Sequence, residues 1–377
     1  MEKASSRGQS NRAERDGEEL IVQAPQDPRP VGIKEIAKEL GLSIGTVDRA
    51  LHNRGRIRAE TRDRVLKMVQ RVGYRPNLAA RSLKSPKSLR ISVHLPVEIA
   101  SFYQAIREGI CSGAALAEPE VEFCFRTHPV LGEGEAELFD LALGDGSKGI
   151  ILAPGHPRSL FPWLSRAAEM RIPVVCVATE ASDDLCLSTV CADAYCSGAI
   201  AAELLGQAVC QKGEVVVMTG DRATVDHTDK LRGFEDGLSQ HGSHLSICEV
   251  IETHDKEDEA YRAVRRQFLK NTQLRAIYVC TANSLGVIRA AEAMDPQRKV
   301  TIVTTDLFPA LVEPLRSGRI LATIHQHPRK QGRIALEILH QYLTQGTVPP
   351  PRITLNPHIV LRSNLELYLR NAPWDAD

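Results

Sequence analysis

The stretch Ile33-Lys34-Glu35-Ile36-Ala37-Lys38-Glu39-Leu40-Gly41-Leu42-Ser43-Ile44-Gly45-Thr46-Val47-Asp48-Arg49-Ala50-Leu51 decides how the chain is read. Ile33, Ile36, Ala37 and Leu40 recur with the spacing of one helix face, and Gly41 stops that helix. Ser43 stands where an N-cap hydroxyl is wanted, ahead of a second helix with Val47, Ala50 and Leu51 turned inward. Ile44, Gly45, Asp48 and Arg49 are left on its outer side. Helix, short glycine turn, helix is the outline of a helix-turn-helix unit. A third amphipathic helix is predicted from about Ala59 to Val72, its stripe formed by Val65, Met68, Val69 and Val72, with Gly73 as its stop. This much fits two readings. One is a small three-helix domain whose positive charge is only a solvated face. In the other, Ile44 and Gly45 approach base edges in a major groove, and Arg49 reaches the O6/N7 acceptor pair of a guanine. Arg54, Arg56, Arg58 and the helix ends then hold phosphates.

Outward from that stretch, the charge is uneven. The 377 residues carry 47 basic and 47 acidic side chains. Residues 31–90 hold 15 basic against 5 acidic, whereas the chain beyond residue 90 holds 27 against 36. A basic segment joined to an acidic body suggests that the segment meets a polyanion. Residues 1–30 have almost nothing to bury and read as a disordered leader. No apolar run approaches the roughly 18 residues of a membrane span, and the leader lacks the apolar stretch of a secretory signal. The nine cysteines are scattered, without a C-x-x-C pair, and read as small buried hydrophobes in a reducing compartment. A soluble cytoplasmic protein with no membrane partner is expected.

After Ser85-Pro86-Lys87-Ser88 the texture changes. Short apolar runs (Arg90–Leu95, Val121–Phe125, Gly149–Ala153, Pro173–Val177, Glu214–Met218, Ala276–Cys280, Val300–Thr304, Ile320–Ile324) alternate with helical stretches. The latter include Phe102–Leu116, Tyr195–Val209, Thr228–Gln240, Glu257–Leu269 and Leu285–Met294. Buried runs between helices argue for parallel sheets in a βα-repeating fold. The length argues for two lobes, with ligands in the cleft beyond the carboxyl ends of the strands.

Directly after Gly73 comes Tyr74-Arg75-Pro76-Asn77-Leu78-Ala79-Ala80-Arg81-Ser82-Leu83-Lys84-Ser85. Together with Ile33–Ala37, Gly41–Ser43, Gly45–Val47 and Glu60–Arg62, it resembles the DNA-binding head of LacI/GalR-type transcription regulators, over about 55 residues without gaps. The resemblance implies a leader over 1–30, a helix-turn-helix domain over 31–75 and a hinge helix with linker over 76–88. A two-lobed effector-binding and dimerisation domain follows over 89–370. It also implies DNA contacts by Ser43, Ile44, Gly45, Thr46, Arg49, Asn53, Arg54, Tyr74 and Asn77. In the hinge, Leu83 corresponds to the family's minor-groove wedge, flanked by Arg81 and Lys84 near phosphates. Asp48 departs from the usual Ser. It either faces the DNA, repelling phosphate or accepting from a cytosine amine, or pairs within the helix with Arg49 or Arg54.

The body is similar to the periplasmic sugar-binding-protein fold, closest to its ribose-binding-like branch. The similarity implies that Phe102 and Tyr103 stack on a sugar ring, that Asp306 accepts from its hydroxyls, and that Gln326 contacts the ligand. Lys230 stands where the family usually has Arg, keeping charge without the bidentate fork, and Asn283 is a further candidate. Each has a plainer reading: packing at a helix start for Phe102 and Tyr103, helix capping for Asp306 and Asn283. The family's Asp-Arg pair after the fourth strand is replaced by Val177-Ala178-Thr179-Glu180. Aromatic rings and planar amides and acids suit a polyol, whose C–H faces are apolar and whose hydroxyls need donors and acceptors. His325-Gln326-His327 has no third ligand at metal-site spacing. No nucleophile–base arrangement or phosphate loop follows a strand, so neither an enzyme nor a cofactor is expected. The expected fold is an all-α three-helix helix-turn-helix head plus an α/β two-lobed periplasmic-binding-protein-like domain. The expected function is a DNA-binding regulator, a repressor by family default, working as a homodimer on a double-stranded operator and modulated by a sugar or polyol. The alternatives are a stand-alone sugar-binding protein or a sugar-metabolising enzyme. The short polar tail from Asn371 has no heptad pattern, which favours a dimer over a tetramer.

Overall fold

The computed structural model describes residues 33–51, 57–71, 88–97, 99–114, 120–181 and 184–370. Two compact units emerge, Met1–Arg81 and Ser82–Asp377.

In the first unit, helices α1 (Ile33–Leu40), α2 (Ile44–Leu51) and α3 (Ala59–Arg71) close around Ile36, Ala37, Val47, Ala50, Val65 and Met68. Leu40, Leu42, Ile57 and Val69 pack around this small core. The turn is fixed by backbone chemistry. Gly41 adopts φ +64°, a conformation that costs a side chain steric strain. There the N–H of Leu42 donates to the Ala37 carbonyl (2.9 Å) and that of Gly41 to Lys38 (3.3 Å), the paired bonds of a Schellman stop. The Ser43 hydroxyl then accepts from the Thr46 N–H at 3.1 Å, the cap read from the sequence. The Leu51 and Val72 side chains lie outside the described residues.

The second unit contains two six-stranded sheets. Strands β1 (Ser88–Pro96), β2 (Glu120–His128), β3 (Gly149–Leu152), β4 (Val174–Val177) and β5 (Ser188–Ala192) alternate with α4 (Ala100–Ala114), α5 (Glu135–Gly144) and α6 (Pro157–Glu169). Strands β6 (Gly213–Thr219), β7 (Leu245–Glu252), β8 (Leu274–Val279), β9 (Thr301–Thr305) and β10 (Ala322–His325) build the second lobe. Their helices are α7 (Ala194–Ala208), α8 (Val225–His241), α9 (Glu257–Lys270), α10 (Leu285–Met294) and α11 (Val312–Arg316). Helix α12 (Pro328–Gln345) returns to the first lobe, where Ala335, Leu336 and Leu339 join its core. Strands β11 (Arg352–Leu355) and β12 (His358–Leu361) and helix α13 (Leu365–Arg370) complete the unit. The sheet orders are β11-β5-β4-β3-β1-β2 and β12-β10-β9-β8-β6-β7. Every pairing is parallel except β10 with β12. Each of the eight apolar runs overlaps one of these strands. Those in the middle of a sheet, such as β3 and β4, are buried along their whole length, as strands covered by helices on both faces must be.

The chain passes between the lobes three times: at Ala192–Ala194, at His325–Pro328 and at Leu355–His358. Helices α7 and α8 touch backbone to backbone. A Cβ at Gly198 would stand 2.0 Å from the Lys230 carbonyl oxygen, and one at Gly233 would stand 2.0 Å from that of Tyr195. Only glycine permits this approach, and it fixes the height of Lys230. The cysteines differ from expectation. Cys176, Cys191 and Cys280 are buried, but Cys111, Cys210 and Cys248 are exposed and the remaining three half-buried. Cys111 sits on an outer helix face and Cys248 on the edge strand β7, positions that neighbouring apolar letters do not reveal.

Candidate functional site

Helix α2 and its cap residue Ser43 gather five of the residues read as DNA contacts. Ile44 is half exposed and Gly45 and Arg49 are exposed, leaving an unobstructed face at the helix start. The Ser43 and Thr46 hydroxyls pair at 2.8 Å, which anchors the turn beneath that face. Arg49 Nε donates to the Gly45 carbonyl at 2.9 Å, laying the guanidinium back along its own helix. Asn53, Arg54, Arg56, Tyr74, Asn77, Arg81, Leu83, Lys84 and the Asp48 side chain lie outside the described residues, as does the leader.

The cleft lies where the carboxyl ends of the two sheets face each other. Ile99, Phe102, Tyr103, Leu131, Ala178 and Thr179 line it from the first lobe. Thr224, Asp226, His227, Lys230, Thr281, Ala282 and Gln326 line it from the second lobe and the middle crossover. Phe102 and Tyr103 meet edge to face with ring centroids 5.1 Å apart. Lys230 is 1% exposed, and its Nζ donates to Asp226 Oδ2 at 2.7 Å, one helical turn away. Burial alone would lower this ammonium, but the Asp226 charge outweighs it and holds the lysine above its ordinary range. The Tyr103 phenol is pushed well above its usual range by burial, and next by Asp255, Asp226, Glu135 and Asp306. Negative charge therefore converges on this cavity.

Asp306 stands one layer behind the wall. Its Oδ1 accepts from the Gln326 backbone N–H (2.9 Å) and its Oδ2 from the Gln326 side-chain amide (2.6 Å). The carboxylate holds Gln326 in place, and the next helical turn starts only at Pro309 with Phe308 as its cap, so Asp306 caps nothing. Gln331 adds a second hold, donating to the Gln326 carbonyl at 2.8 Å and accepting from the Ala178 N–H at 3.0 Å. Asn283 is not among the lining residues. Its backbone N–H approaches Thr281 Oγ1 at 3.4 Å, and Ser284, not Asn283, occupies the cap position of α10. His325 lies behind the cleft with Nδ1 3.6 Å from Asp306 Oδ1.

Several groups here escaped sequence reading: Thr224, Asp226, His227 and Thr281, and behind them Asp255, which accepts from Thr281 Oγ1 at 2.6 Å. Each follows the C-terminal end of a strand or starts a helix there. The only available signal is that rule of position, since none belongs to a spaced motif.

Among the described residues, hydrogen bonds bridge the lobes at three places. His156 Nε2 lies 2.8 Å from Asp221 Oδ2, Thr224 Oγ1 donates to the Gly155 carbonyl at 3.2 Å, and the Asp226 N–H reaches Thr179 Oγ1 at 3.5 Å. The cleft at this point is narrow and partly open, with about 30 Å³ of room for water-sized occupants.

A three-helix head with an open recognition face, in one chain with a two-lobed unit that has a cleft between its lobes, defines a ligand-responsive DNA-binding regulator. Residues 32–77 match the bacterial regulatory proteins of the lacI family, and residues 91–347 match the periplasmic binding protein domain. The chain belongs to the lacI family of bacterial transcription regulators, with a periplasmic-binding-protein body. Among its relatives, catabolite control protein A of Priestia megaterium is 24% identical over 89% of this chain and 99% of its own. The HTH-type transcriptional regulator AglR of Rhizobium meliloti is 27% identical over 85% and 90%. In solved structures the body superimposes on an ABC-transporter solute-binding protein from Agrobacterium vitis bound with alpha-D-tagatopyranose. That match has a TM-score of 0.69 and 21% identity over 76% of this chain and 98% of the other. A Bacillus halodurans solute-binding protein with bound myo-inositol gives 0.66 at 18% identity over 74% and 96%. Among the described residues no helix is long and apolar enough to cross a membrane.

Proposed function

We propose that the chain acts in the cytoplasm as a homodimeric repressor on a double-stranded operator, and that an uncharged sugar or polyol between its lobes sets the affinity. The cleft wall carries this reading. Two aromatic rings, an amide oriented by Asp306 and the buried Lys230–Asp226 pair offer C–H contacts together with fixed donors and acceptors. The lysine of the wall is already paired with Asp226, and the carboxylates of Asp255 and Asp306 lie behind it, which disfavours an anionic ligand such as a sugar phosphate. The sugars and the polyol held by structural relatives are uncharged as well. In the head, Ile44 and Gly45 meet base edges, Arg49 reads a guanine, and Ser43, Thr46, Asn53, Arg54, Tyr74 and Asn77 seat the backbone. Residues 76–88 act as the hinge, with Leu83 wedged in the minor groove between Arg81 and Lys84. Lobe closure alters the spacing of the two hinges in the dimer and so couples cleft to operator.

A thermal-shift screen over D-tagatose, D-arabinose, D-allose and myo-inositol, with a hexose 6-phosphate alongside, tests the cleft. An uncharged compound is expected to raise the melting temperature, whereas a response to the phosphate alone would overturn the reading. For the head, Arg49→Ala is expected to relax preference at one operator base pair by about 1–3 kcal/mol. A uniform loss across all duplexes would reduce Arg49 to a phosphate contact.

A further inference from the structure

Cys176 and Cys186 stand apart from the other thiols. Their sulfurs lie 3.5 Å apart. Cys176 belongs to β4 and is buried in the cluster formed by Leu160, Leu164 and Ala167 beneath α6, whereas Cys186 precedes β5 and is half exposed. A disulfide spans about 2.05 Å, so the sulfurs need approach by only about 1.5 Å, within reach of a side-chain adjustment. The hydrogen bond to Cys186, and then burial, push the Cys176 thiol well above its ordinary range. Of the two, Cys186 is the less buried residue.

The surroundings give the pair a mechanical meaning. Ala178, two residues beyond Cys176, lines the cleft with its N–H on Gln331. Thr179 receives the cross-cleft bond from Asp226, and Glu180 pairs with Arg352 of β11, the strand that leads into the third crossover. We propose that Cys176 and Cys186 are a reversible modification site, oxidised to a disulfide by hydroperoxides, which ties the segment beginning at Ala178 to β4 and stiffens the cleft wall.

The chemistry balances. The Cys186 sulfur, as thiolate, attacks the peroxide; an S–O bond forms, the O–O bond breaks, and the departing oxide takes a proton to become water or alcohol. The Cys176 thiol then loses its proton and attacks the Cys186 sulfenic sulfur; the S–S bond forms, the S–O bond breaks and water leaves. Two electrons pass from the thiols to the peroxide, and a small-molecule thiol reverses the step by exchange.

The test uses the reduced full chain and one equivalent of hydrogen peroxide, followed by alkylation, digestion and mass spectrometry. A Cys176–Cys186 linked peptide is expected, lighter by two hydrogens and restored by dithiothreitol, while the exposed Cys111, Cys210 and Cys248 are alkylated. Hydrogen exchange from Ala178 to Ala181 should slow in the oxidised form. Cys176→Ala is expected to leave Cys186 as a sulfenic acid that dimedone captures. Alkylation of both cysteines in the treated wild type, or unchanged exchange in the oxidised form, would overturn the proposal. These readouts need neither operator nor sugar, so they stand or fall separately from the regulatory reading.

Discussion

Lys230 illustrates how strongly one residue depends on another. With 1% exposure, its charge survives only because Asp226 is 2.7 Å away. Removing one member of such a buried pair strands the other. Lys230→Met is therefore expected to cost about 3–5 kcal/mol in urea unfolding, and adding Asp226→Leu should recover most of that loss. His94 gives the acid limb of stability. Burial, then the positive Arg126, depress its imidazole to about 3, and its Nε2 lies 2.8 Å from Ser92 Oγ. Between about pH 6.5 and 3 the unfolded chain takes up a proton that the folded chain refuses, so stability falls as pH falls through that window. The loss reaches about 2 kcal/mol at pH 5, and His94→Phe should flatten urea midpoints measured between pH 7 and 5. Lys230 and Gln326 could be singled out because they sit in recognisable local strings. Asp226, Asp255 and Thr281 could not, because their partners are brought together only by the sheet.

At the scale of elements, the head is held by short-range rules that a sequence displays openly: a glycine stop, a serine cap and a stripe of apolar residues. The Ser43 cap is expected to contribute about 1 kcal/mol, so Ser43→Ala should lower the midpoint of head unfolding by that amount in helical circular dichroism. Most central strands were equally legible, since burial on both faces writes them as apolar runs; β5 was not, because buried Ser188 and Thr189 interrupt its run. Strand β7 was not. As an edge strand it mixes covered Leu245 and Ile247 with exposed Ser246, Cys248 and Glu249, and its register shifts at Cys248, leaving no run to find. Strands β11 and β12, four residues each, gain their identity only by pairing with β5 and β10, set by crossovers rather than by local pattern.

For the whole molecule, the three crossovers make lobe closure the main freedom, and His156 with Asp221 forms the most direct bond across it. Both side chains are partly exposed, so the pair is worth under about 1 kcal/mol. Asp221→Asn is expected to shift the balance toward open forms by a few-fold, read as a larger radius of gyration in solution scattering. The narrowness of the cleft also bears on tempo. If a sugar can be admitted only after the bridge parts, the binding rate at rising ligand concentration must level off at the rate of opening, however abundant the sugar becomes. Ligand capture would then be paced by the hinges themselves and not by how much ligand surrounds them.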